Sequence, residues 1–106
     1  MNESLASVVV EPIDGMPPVI SEAFLSILRS YDVIEAWIFG STVEGTAQPD
    51  SDIDLLVRFD TPVTLFAQID LVDALTRLTG RQIDLMTAIH PAFEPYIRPT
   101  LVALPL

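Results

Sequence analysis

Asp52-Ile53-Asp54 places two carboxylates one residue apart. Side chains alternate between the faces of a strand, so on a strand both acids share one face, close enough to share divalent cations. A third acid, Asp84, falls on the polar side of another short strand-like stretch, residues 82–87, and joins the pair if the two strands are neighbours in one sheet. Three clustered anions repel one another unless cations sit between them. An all-oxygen set of this kind suits Mg²⁺ or Mn²⁺, with substrate phosphates completing the coordination. Taken alone, the Asp52/Asp54 pair describes a solvated strand end equally well; Asp84 is what turns it toward metal chemistry.

Gly40-Ser41 follows another strand-like run directly. Glycine with a small hydroxyl neighbour lets backbone N–H groups and a Ser Oγ approach a phosphate closely, although the same dipeptide also makes ordinary turns. Two familiar site patterns fail on the same residues. The run from Asp50 to Asp54 begins like a calcium-binding loop, but the next position is Leu55 where glycine is needed and the twelfth is Thr61 where glutamate is needed. Gly40 and Gly45 have the spacing of a Walker A loop, yet Thr46-Ala47 replaces its Lys-Ser/Thr pair and the chain has no lysine. His90, the only histidine, stands beside Pro91 in the tail and reads as a surface residue rather than a base. Trp37 and Phe39 read as core residues of the first strand.

Composition narrows the partners. The 106 residues carry fifteen acidic side chains against five basic ones, all arginine, for a net charge of -10. Affinity for a phosphate backbone comes from Lys and Arg, so no direct nucleic-acid binding is expected. With no cysteine there is no disulfide framework, thiolate zinc site or thiol nucleophile, and a cytoplasmic location is expected. Met1-Asn2-Glu3-Ser4 lacks a basic leader region, and the apolar runs fall far short of the ~18 residues a bilayer requires, so neither export nor membrane insertion is expected. The length suits a single domain over residues 1–106.

The elements that must carry these residues follow from periodicity. Ile20, Phe24, Ile27 and Tyr31 recur at helical spacing behind Pro17-Pro18, predicting a helix over residues 19–31. Val33 to Phe39, rich in β-branched and aromatic residues, predicts a buried strand, and residues 42–51 a polar connection. Ile53, Leu55, Val57 and Phe59 alternate with Asp52, Asp54 and Arg58, predicting a strand over residues 52–59 with one polar face. Thr61-Pro62 resembles an N-cap followed by proline at the first helical position; Leu65, Ile69, Val72, Leu75 and Leu78 form the expected buried stripe of a helix ending at Gly80. On its wet side Asp73 and Arg77 pair at i, i+4. In the third strand Ile83 and Leu85 face one way and Asp84 the other, while Pro91, Pro95 and Pro99 restrict any helix in the tail. The order predicts an α+β or α/β domain, a mixed sheet flanked by helices in at most three layers.

Gly40-Ser41, ten intervening residues, then Asp52-Ile53-Asp54-Leu55-Leu56-Val57, with Asp84 in Gly80-Arg81-Gln82-Ile83-Asp84-Leu85, together resemble the minimal nucleotidyltransferase family of the DNA polymerase β superfamily. The resemblance runs from Val33 to Thr87, and more loosely through the tail, where residues 97–101 are similar to the last helix of small members. It implies a palm-like nucleotidyltransferase fold. It also implies an antitoxin encoded beside a HEPN-domain ribonuclease toxin, which transfers AMP from ATP to a tyrosine of that toxin and silences it. In that frame Asp52 and Asp54 would hold two Mg²⁺ ions, Asp84 would ligate the ion nearer the acceptor and accept its proton, and Gly40 and Ser41 would hold the β- and γ-phosphates.

Many members carry arginines between the serine and the first aspartate; this chain has Thr42, Glu44 and Gln48 there. Glu44 puts a negative charge near a triphosphate, so substrate affinity would rest more heavily on the metals. Two alternatives stay open. One is a catalytically weak or inactive module of the same fold that neutralises its partner by binding, with the apolar residues 101–106 offered as a docking surface or as core. The other is a transferase acting on a small hydroxylated molecule, for which the chain has no second domain.

Overall fold

The computed structural model describes residues 16–40 and 52–106, and the fold is described for these residues. Helix α1, Glu22–Ser30, starts where the Ser21 hydroxyl accepts the Phe24 N–H at 3.3 Å. The double proline lies just upstream: the Ile20 N–H closes a turn on the Pro17 carbonyl, so the helix begins three residues later than the periodicity predicts. Ile20, Phe24, Leu25 and Leu28 are buried, and Ile27 and Tyr31 pack at the edge of the core. Asp32 then takes a left-handed φ of 65°, a conformation the short Asp side chain tolerates, and turns the chain into strand β1, Val33–Phe39.

Strand β2, Ile53–Phe59, runs antiparallel to β1, with Phe39 opposite Asp54 and Glu35 opposite Arg58. Helix α2, Leu65–Thr79, carries the chain across to strand β3, Ile83–Met86, which pairs parallel to β2. Such a parallel pair requires a crossover of this kind. The cap of α2 is Thr64, whose Oγ1 accepts the Ala67 N–H at 3.1 Å, and not Thr61. Pro62 does not open the helix: residues 61–63 are used to span from the end of β2 to the helix. At the other end Gly80 adopts φ 70° and its N–H bonds the Thr76 carbonyl at 2.8 Å, the expected left-handed stop. Asp73 and Arg77 form the expected ion pair at 2.8 Å.

Two expectations about packing change. Leu71 and Leu75 are the fully buried residues of α2, with Val72 and Leu78 beside the core, whereas Leu65 and Ile69 are 69% and 53% exposed. The helix is turned so that its first two turns overhang the sheet edge. Trp37 is only half-buried because it sits on the face of β1 opposite Ala36 and Ile38, while Phe39 is buried.

After a four-residue helix α3, Glu94–Ile97, and a 3₁₀ turn, Arg98–Thr100, the chain forms a two-residue strand β4, Val102–Ala103, antiparallel to β1. The prolines shorten the tail helix, and Leu104, held by its N–H to the Ala36 carbonyl at 2.8 Å, is buried. The apolar tail is therefore core and sheet edge rather than a free docking surface. Sheet order is β3-β2-β1-β4. Ala36, Ile38, Ile53, Leu55, Val57 and Ile83 face α1 and α2 across one core, giving two layers. The opposite face carries the polar partners of the alternation, including the Glu35–Arg58 ion pair. No helix among the described residues is long and apolar enough to cross a membrane.

Candidate active site

Strand pairing settles which acids meet. Asp54 lies in the second position of β2, flanked across the ladder by Phe39 on β1 and Asp84 on β3. The Ile53 N–H donates to the Gln82 carbonyl at 2.9 Å, so the register of β2 on β3 begins one residue before the acids. Parallel in-register partners project to the same side, which brings the Asp54 and Asp84 carboxyls together on the face away from the helices.

Burial, the Asp84 charge, a side-chain hydrogen bond with Asp84 and the Asp52 charge, in that order, hold the Asp54 carboxyl above the usual carboxylate range. Two carboxyls sharing a hydrogen bond in a half-buried site need a proton or a cation between them. Gly40, directly after β1, has φ 74°, and a Cβ built there would overlap the Asp54 carboxylate. Glycine is thus required twice at this position, for its backbone conformation and for the close approach of the acid.

Asp52 precedes β2 rather than opening it, is exposed, and its charge adds to the repulsion felt by Asp54. Among the described residues no three His, Cys, Asp or Glu side chains gather into a metal-holding group. Ser41, Thr42, Glu44 and Gln48 lie outside the described residues. His90 is on the surface as expected, its Nδ1 accepting the Ala92 N–H at 3.0 Å and its ring tilted on Phe93.

The donor chemistry fits a divalent cation at Asp54 and Asp84: two hard oxygen donors, mutually repelling, on a fixed ladder. Beside Asp84 the fold adds a feature the sequence reading missed, a groove of about 380 Å³ lined by Leu65, Gln68, Ile69, Val72 and Ile83–Met86. Its signal in the sequence was the α2 stripe, which is longer than the core can cover.

Residues 20–102 match the nucleotidyltransferase domain family. The protein adenylyltransferase MntA of Thermococcus cleftensis is 41% identical over 56 residues, 53% of this chain and 57% of that protein, so the match spans a little over half of that relative. A Methanocaldococcus jannaschii protein that also bears the name protein adenylyltransferase is 32% identical over 80 residues, 74% of this chain and 86% of that protein. The solved structure of a minimal nucleotidyltransferase superposes with a TM-score of 0.66 at 33% identity, over 80% of this chain and 87% of that one. A toxin–antitoxin structure with AMP-PNP shares the fold, with a TM-score of 0.63 at 21% identity, over 74% of this chain and 67% of that one. The acid pair on neighbouring strands, the glycine beneath it and these likenesses agree: the chain belongs to the nucleotidyltransferase domain family, among its minimal members.

Proposed function

We propose that this chain is an antitoxin that transfers AMP from ATP to a tyrosine of a HEPN ribonuclease toxin encoded beside it. The observation that carries the chemistry is the Asp54–Asp84 pair set in register over Gly40. The relatives named protein adenylyltransferase and the fold shared with a toxin–antitoxin structure support a protein as the acceptor.

In this reading Asp54 and Asp84, with Asp52 from the approach to β2, would hold Mg²⁺, two ions in the full site, with Mn²⁺ as a substitute. Bound there, the metal supplies charge stabilisation for the attacking hydroxyl and the leaving pyrophosphate. Gly40 lets the backbone come close to the phosphates, and Ser41 would complete that contact with its hydroxyl. The acceptor oxygen bonds to the α-phosphorus, the bond from that phosphorus to the bridging oxygen of the β-phosphate breaks, and pyrophosphate leaves. Asp84 would take the hydroxyl proton; its position on the edge strand beside Asp54 supports that role.

A second reading draws on Thr42, Glu44 and Gln48 standing where many members carry arginines: the fold neutralises its partner by binding, with weak transfer. One experiment separates the two. Wild type and Asp54→Asn are incubated with α-labelled ATP, Mg²⁺ and the purified product of the adjacent gene. Label on the partner with wild type alone supports the transferase; a stable complex without label from either supports neutralisation by binding.

A further inference from the structure

We propose that the groove between α2 and β3 is where the acceptor protein docks, taking an extended segment with an apolar anchor beside basic residues. This inference rests on the protein-acceptor reading above and assigns it a surface. Leu65, Gln68, Ile69 and Val72 stand at i, i+3, i+4 and i+7, so one helix face supplies one wall; Ile83–Met86 supplies the other. Leu65 and Ile69 remain more than half exposed, and Phe66 beside them is 80% exposed, although the core has ended under Leu71. Apolar side chains grouped at one end of a helix next to a cleft mark an interaction surface rather than scattered surface residues.

Three further observations choose the occupant. Asp84 is among the residues lining the groove and is the register partner of Asp54, so whatever sits in the groove runs along the strand that carries one of the two acids. Among the described residues β3 is an edge strand, hydrogen-bonded to β2 alone, which suits an extended segment laid along it. The groove is lined by Asp84 and by no basic residue, in a chain of net charge -10, which favours basic residues flanking the anchor. A partner protein meets all three demands, whereas a second copy of this acidic chain would bring like charges together.

The test is steady-state label transfer from ATP to the purified product of the adjacent gene, with affinity for that protein measured by calorimetry. The variants are the double substitution Leu65→Ser with Ile69→Ser and the single control Ile69→Leu, all at exposed positions and checked for folding by thermal melting. Losing the anchor surface raises the acceptor KM and Kd by at least about tenfold. ATP affinity stays within twofold, and Ile69→Leu keeps the wild-type values. Unchanged acceptor KM and Kd in the double variant overturn the docking site alone. Self-association of wild type that the double variant abolishes assigns the groove to a second copy and also overturns it. If wild type neither labels nor binds the protein, the protein-acceptor reading falls and the docking site falls with it.

Discussion

Gly40 and Asp54 form the tightest constraint in the site, because one residue's lack of a side chain is what the other's carboxylate occupies. Gly40→Ala is expected to cost about 1–3 kcal/mol of stability, from the left-handed backbone and the displaced acid together. Label transfer should fall at least tenfold, roughly what a misplaced reacting group costs. Asp54→Asn separates charge from shape. The folded-state pKa of Asp54 lies above the ordinary value of 3.8, so folding disfavours its ionised form. That cost is full at neutral pH and disappears as pH falls through the raised pKa toward 3.8. Without divalent cations the asparagine variant should therefore melt higher than wild type at pH 7, and the gap should close on acidification. With Mg²⁺ only wild type should gain stability, and transfer by the variant should be abolished. Asp54, Asp84 and Gly40 were legible as residues, from the alternation of the strands and from a glycine at a strand end. What alternation did not give is the start of the ladder: it counts Asp52 as part of β2, which begins at Ile53.

At the level of elements, α2 decides where the site opens. Its start at Thr64 turns Leu65 and Ile69 out over the edge of β3 and leaves Leu71 and Leu75 to the core. Thr64→Ala should cost about 1 kcal/mol for the lost cap, a drop of roughly 4–8 °C in melting temperature, whereas Thr61→Ala should stay within about 0.5 kcal/mol. The reverse result would place the cap at Thr61. Sequence favoured Thr61 because Pro62 suits a first helical turn; the choice between two threonines rests on which hydroxyl reaches an amide, a matter of three dimensions. β4 was invisible for a related reason. Two residues hold no periodicity, and what makes Val102–Ala103 a strand is the free side of β1.

Across the whole molecule, strand order is the information a single sequence withheld: nothing local says that Asp84, thirty residues beyond Asp54, lands beside it. The resemblance to a known family supplied that neighbourhood, and the β3-β2-β1-β4 order gives it a physical cause. Net charge acts at this scale too. A chain at -10 should associate with a cationic partner faster at low ionic strength, so stopped-flow association rates should fall as salt rises; flat rates would remove the steering argument. The crossover also sets an order of opening. Among the described residues β3 is four residues long and pairs with β2 alone, so it is the strand expected to part first while β1, β2 and α1 stay folded. Each such parting separates Asp54 from Asp84 and relieves their repulsion. Deuterium should therefore replace the amide protons of β3 before those of β1, and Mg²⁺ should slow that replacement selectively, making the site a clasp whose closure can be timed without any substrate.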